Sequence, residues 1–132
     1  MRLFTISQFE ELINNADLDD HFYNLYPVVK LVIPGTEMIW LFSAIDPADH
    51  NRGYCLEYMQ KSFSGFKWIE FSELLNFRAD NGLAVEVDHN FKPTFPLRNY
   101  QDAEWWYGKF VDDPKILKRF DVEYADGQLS LC

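Results

Sequence analysis

An enzyme built on this 132-residue chain has to draw on dispersed side chains, and the candidates are Lys30, Asp46, Asp88, His89 and Lys92. Asp88 and His89 stand side by side. A carboxylate beside an imidazole can orient a general base whose ordinary pKa of about 6.5 suits neutral solution. Neighbours on an extended strand point to opposite faces, however, so a catalytic His89 needs its carboxylate from elsewhere, and the pattern predicts an imidazole that bonds loop backbone. Lys30 lies in an apolar run, where an ammonium is costly unless it snorkels to the rim or meets a carboxylate. Glu57 from a third strand is the expected partner. The functional reading of Lys30 is an anion ligand or a lysine of lowered pKa.

Metal chemistry is weakly represented. Asp46, Asp49 and His50 crowd one turn, yet aspartate before Pro47 is ordinary turn chemistry and the spacing fixes no coordination geometry. Asp17, Asp19 and Asp20 lack the glycine and terminal glutamate of a calcium loop. The chain has no Walker loop, dinucleotide glycine fingerprint, nucleophile elbow or zinc-type Cys/His spacing. No catalytic residue, metal or cofactor is assigned.

The elements that must position these groups start from the stretch 28–46, VVKLVIPGTEMIWLFSAID, two apolar β runs broken by Pro34-Gly35. Proline lacks a ladder amide and glycine tolerates positive φ, so the chain reverses there. Alternation sets Val29, Leu31 and Ile33 on one face and Val28, Lys30 and Val32 on the other, both mostly apolar, which predicts a strand covered on both sides. With the turn at 34–37, Lys30 lies opposite Leu41.

Ser7-Gln8-Phe9-Glu10 has the form of a capping box, predicting a helix over 8–15. Strands are expected over 53–59 and 66–71, with the loop 60–65 exposing Phe63 as a contact point. Ser72 reads as the N-cap of a helix over 73–79 ended by Asn81-Gly82, and 84–88 as a short strand. In the stretch 99–107, Tyr100, Ala103, Trp106 and Tyr107 share one helical side and Trp105 falls on the other with Asp102 and Lys109; Gly108 ends the helix. Trp105, with Asp102 and Glu104 beside it, is the candidate exposed anchor. Asp113-Pro114 opens another short helix, and 121–131 reads as a terminal hairpin turning at Asp126-Gly127.

These residues also carry a resemblance. Pro27-Val28-Val29-Lys30-Leu31, Trp40-Leu41, Asp46-Pro47, Gly53-Tyr54-Cys55, Phe71-Ser72-Glu73-Leu74, Gly82-Leu83 and the run from Asp88 through Pro93 resemble the bacterial domain of unknown function 2958, over about residues 26–100. The resemblance implies a setting in plasmids, integrated elements and phages and carries no established chemistry. The run Cys55-Leu56-Glu57-Tyr58 departs from the Cys-Asp-Leu-Gly that is usual in that family.

Composition bounds the rest. At 132 residues the chain predicts one domain, 1–132, that removes about two thirds of its unfolded surface from water. A hydrophobic content of 48%, with 17% aromatic, supplies a core without disulfide or metal staples. Cys55 and Cys132 read as reduced thiols, and no apolar run is long enough for a signal peptide or span, so a cytoplasmic protein is expected. Lys and Arg number 12 against 21 Asp and Glu, a net charge of −9 that opposes direct binding to nucleic acid or an anionic membrane and suits a protein with a basic surface.

The expectation is thus an α+β fold, with a mostly antiparallel sheet of about four to six strands on the 28–46 hairpin and helices at the N-terminus, middle and C-terminal part. Its expected role is a non-enzymatic interaction module of a mobile element, acting as an inhibitor or nucleic-acid mimic. The alternative is a small enzyme or ligand-binding domain with a pocket lined by Trp40, Trp68, His89 and Lys92.

Overall fold

The computed structural model describes residues 3–18, 21–59 and 62–121, with the backbone alone at 62–64. Among the described residues, an antiparallel sheet is formed by β1 (Val29–Val32), β2 (Ile39–Ile45), β3 (Arg52–Met59), β4 (Ser62–Glu70) and β5 (Glu86–Val87), in the spatial order β4-β3-β2-β1-β5. Helices α1 (Ile6–Asn15), α2 (Phe71–Asn76), α3 (Leu97–Tyr107) and α4 (Pro114–Leu117), and 3-10 turns at Phe22–Asn24 and Lys118–Phe120, surround it. This is the α+β architecture that the residue pattern predicts. The hairpin expected over 121–131 lies, beyond Asp121, outside the described residues.

The central hairpin closes as its turn residues require. The Ile33 carbonyl accepts from the Thr36 amide at 3.1 Å, and Gly35 sits at a φ of 79°. With Pro34 ahead of it, this satisfies a turn that needs fixed φ and then positive φ. Lys30 pairs with Leu41, and Leu31 with Trp40.

Both faces of the sheet are covered. On one, Val29, Leu31, Trp40, Phe42 and Cys55 pack with Leu12 of α1 and with Phe71 and Leu74 of α2. On the other, Leu41 and Leu56 pack with Leu97, Tyr100 and Ala103 of α3 and with Leu117 and Phe120. The near-continuous apolar run of β2 follows from this two-sided burial. Gly53 is needed for it: a Cβ there would stand 2.8 Å from the Phe42 ring and closer still to that of Phe71.

One irregularity changes which residues face which helix. Phe42 pairs with Cys55, but Ala44 pairs with Tyr54, so Ser43 is an extra residue in β2. A bulge shifts the alternation by one position. Ile45 therefore joins Trp40 and Phe42 on the α1 side. Ser43 is held from both ends, its carbonyl accepting from Asn15 Nδ2 at 2.9 Å and its hydroxyl donating to the Phe22 carbonyl at 3.2 Å.

Several boundaries differ from expectation. The capping box of α1 is Thr5 with Gln8, not Ser7 with Glu10: Gln8 N donates to Thr5 Oγ1 at 3.1 Å and Thr5 N donates to Gln8 Oε1 at 2.9 Å. Two overlapping boxes are written in the sequence, and only one forms. At α2, Ser72 does not cap; Asn51 does so from the β2–β3 connection, accepting from Phe71 N at 2.7 Å with its carbonyl and from Ser72 N at 3.0 Å with its side chain. The helix then starts at Phe71 and stops at Asn76, where Phe77 turns extended. Asn81-Gly82 forms a separate turn that reaches the central hairpin, with Asn81 Nδ2 donating to the Pro34 carbonyl at 2.9 Å. β4 begins at Ser62, so Phe63 lies within a strand and not in a loop, and its side chain is outside the description.

Candidate functional site

Lys30, Asp88 and His89 do converge. They line a cleft of about 180 Å³ between the β1–β5 edge and the entry to α1, with Phe4, Gln8 and Phe91. The Lys30 ammonium lies 3.2 Å from Asp88 Oδ2 and 3.9 Å from Asp112 Oδ2. It also stands over the Phe110 ring at 5.0 Å and the Phe91 ring at 6.0 Å. The expected partner, Glu57, is on the wrong face: β2 and β3 pair Leu41 with Leu56, so the neighbour beyond Leu41 on the Lys30 side is Leu56.

This arrangement answers the chemical reading of Lys30. Two carboxylates and two ring faces engage the ammonium, so it is occupied within the fold and is not presented as a nucleophile. An incoming anion meets the same two carboxylates. Asp88 is also fully engaged, its Oδ1 accepting from Asn90 N at 3.0 Å. The carboxylate, and not the imidazole, thus bonds the loop backbone, and His89 is exposed at the cleft mouth.

The remaining polar candidates lie elsewhere. Asp46 pairs with Arg52 at 3.0 Å and accepts from Ala48 N at 2.9 Å, as turn chemistry predicts. Lys92 is exposed and outside the cleft lining. Trp40 and Trp68 border a different groove, of about 490 Å³, beside α2. Neither depression joins Trp40, Trp68, His89 and Lys92: the two tryptophans line one, His89 lines the other, and Lys92 lines neither. Among the described residues, no group of three or more His, Cys, Asp and Glu side chains is placed to hold a metal.

In the α2 groove, Glu57 is the organising carboxylate. It accepts from Trp40 Nε1 at 2.9 Å and from Lys67 Nζ at 2.7 Å. The hydrogen bond to Glu57 raises the Lys67 pKa. Cys55, beneath, is no nucleophile: burial, with Glu57 adding to it, pushes its thiol well above the ordinary 9.0.

The C-terminal end of α3 is of another kind. Leu97, Asn99, Tyr100, Ala103 and Glu104 are buried, while Trp105, Trp106 and Tyr107 are 73%, 57% and 37% exposed. Trp105 is exposed as the helical projection predicts. Trp106 and Tyr107 are not covered, contrary to their place beside Tyr100 and Ala103. The packed stripe stops at Glu104, one turn before Gly108 closes the helix with a φ of 74° and an amide that donates a hydrogen bond to the Glu104 carbonyl at 2.8 Å. The expected acidic rim is also revised. Glu104 is buried and Asp102 half-buried, whereas Arg119 donates to the Tyr107 hydroxyl at 2.7 Å and brings a cation to the aromatic end.

Two participants escape a reading of the chain in order: Asp112 as a second carboxylate for Lys30, and Trp106 as an exposed neighbour of Trp105. The only local signal for either is the Gly108 stop, which marks where α3 ends but not where its packing ends.

Residues 3–111 match a family model described as Protein of unknown function (DUF2958). The match reaches beyond the span 26–100 on both sides, taking in α1 and the whole of α3 and leaving α4 outside. No curated protein and no solved structure matches the chain.

Proposed function

The chain belongs to the DUF2958 family, and from its surface we propose that it is a non-enzymatic protein-interaction module, in the mobile-element setting that the family resemblance implies. The observation that carries this reading is the adjacent pair Trp105 and Trp106, 73% and 57% exposed at the last turn of α3. Tryptophan supplies large contact area at small entropic cost and dominates interface energetics when desolvated. Two side by side are unusual on a surface that leaves them this exposed among the described residues. The catalytic alternative lacks support, because its groups are either saturated by partners, as at Lys30 and Asp88, or separated, as at Trp40 and His89.

The rim of the aromatic end mixes Lys109 and Arg119 with Asp102, so apolar contact sets the affinity there. The net charge of −9 favours a partner whose wider surface is basic and speeds their encounter at low salt. Among the described residues, Asp46, Glu57, Asp88, Asp112 and Asp121 form ion pairs that serve the fold. A nucleic-acid mimic would have to be assembled from the others.

The test is a tagged pull-down from the native host, eluted across a salt gradient, with wild type and a Trp105→Ala/Trp106→Ala variant compared. The wild type is expected to retain a basic protein that the variant loses by about tenfold or more at an unchanged melting temperature. Equal capture by both proteins overturns the reading.

A further inference from the structure

The groove beside α2 adjoins a second unpartnered feature. β4 runs for 9 residues at the edge of the sheet, paired to β3 on one side and, among the described residues, to no strand on the other. An edge of this length is a ready template for another extended chain. Natural edges are commonly guarded by a lysine, and Lys67 stands on this one. Its ammonium, however, is drawn inward to Glu57 on β3 and so does not lie across the outer ladder.

Lys67 and Ile69 face the α2 side of the sheet, so alternate side chains of an added strand would enter the groove. The groove measures about 490 Å³, within the range of about 300–1,000 Å³ typical of ligand pockets. Ile69, Leu74 and the 37% exposed Phe77 give it an apolar wall. Its charges are unbalanced: Lys67 is taken up by Glu57, and Arg52 by Asp46 and the Trp68 ring at 4.9 Å. Glu70 and Glu73 are exposed on the lining and, among the described residues, neither forms an ion pair.

We infer that β4 and this groove form a strand-addition site for an extended segment of a partner protein that carries apolar residues together with lysine or arginine at every second position, on the side turned to the groove. The main chain of the segment pairs with β4, its apolar side chains rest on Ile69, Leu74 and Phe77, and its cations meet Glu70 and Glu73. This site is separate from the aromatic end of α3 and does not depend on it.

The experiment is selection of a random-peptide display library on the immobilised full chain, followed by solution affinities and amide NMR shifts for the tightest peptide. Enriched peptides are expected to carry apolar and basic residues together at every second position and to shift the amides of β4. Their affinity should fall by about tenfold or more in a Glu70→Gln/Glu73→Gln variant, and by as much for a peptide N-methylated at alternate positions tested on the wild-type protein. In the Trp105→Ala/Trp106→Ala variant it should be unchanged, so failure here and failure of the α3 reading are distinguishable. Enrichment of peptides without a basic excess, affinity indifferent to both the glutamine substitutions and N-methylation, shifts confined to other elements, or no enrichment at all overturns the inference.

Discussion

The cleft around Lys30 and the last turn of α3 invert what their side chains suggest. Lysine, aspartate and histidine gathered in a recess have the makings of chemistry, yet Lys30 is held by Asp88, Asp112 and two aromatic rings so that its charge is fully answered within the fold. Tryptophan and tyrosine at the end of a helix have the makings of core, yet Trp105 and Trp106 face outward. Reactivity requires a group with unmet capacity. Of these two places, the one with unmet capacity is the apolar one.

Trp40 and Trp105 sharpen the contrast, being the same side chain at 1% and 73% exposure. Trp40→Ala leaves a cavity in the sheet's α1 side and removes one of the two partners of Glu57, so thermal or denaturant unfolding should show a loss of about 3–5 kcal/mol. A loss well under 1 kcal/mol would remove Trp40 from the core. Next in size is Asp88→Ala, expected to cost about 2–4 kcal/mol because it leaves Lys30 with only the more distant and more exposed Asp112. The paired replacement Lys30→Met/Asp88→Leu should recover most of that loss, since matched apolar groups do not leave a charge stranded. If the pair is as damaging as the single change, Lys30 has a duty beyond structure.

Smaller again is an alkaline effect on the α3-side face. Burial, with Cys55 and Tyr23 adding to it, pushes the Tyr54 hydroxyl from 10.0 up to about 12, and burial raises Tyr100 as well. The unfolded chain releases these protons first. Stability from keeping them is complete below pH 10.0 and declines as the pH climbs from there through about 12 for Tyr54. Melting temperatures across this window, taken with tyrosinate absorbance, should fall as the buried tyrosines ionise, and a flat profile would contradict the burial. The smallest effect on stability is expected for Trp105→Ala/Trp106→Ala, within about 0.5 kcal/mol, as is usual at exposed positions. A collapsed fold would make that pair structural and erase the contrast.

How much of this could be read from the chain depends on the range of the interaction. The Pro34-Gly35 turn, the Lys30–Leu41 register, the two covered faces and the Gly108 stop all follow from residues within a few positions of one another, and all are present. The partner of Lys30 required a register carried across a further strand, and Asp112 comes from 82 positions away in a loop beyond α3. The cap of α2 was missed for the same reason, because Asn51 serves from a connection 20 residues upstream of Phe71. Exposure of Trp106 depends on how far the sheet extends beneath α3, which helical periodicity does not encode.

The extra residue at Ser43 gives length a different standing from composition in this sheet. Removing Ser43 would flatten the ladder and leave every downstream pair in place, Ala44 opposite Tyr54 and Ile45 opposite Gly53, with the loss of the two hydrogen bonds that tie Ser43 to Asn15 and Phe22. Removing a residue from the regular part of β2 with the bulge kept would instead rotate everything downstream by half a turn and send Ile45 to the α3 side. Chains descended from the same ancestor should therefore vary the length of β2 at the bulge and hold it fixed elsewhere.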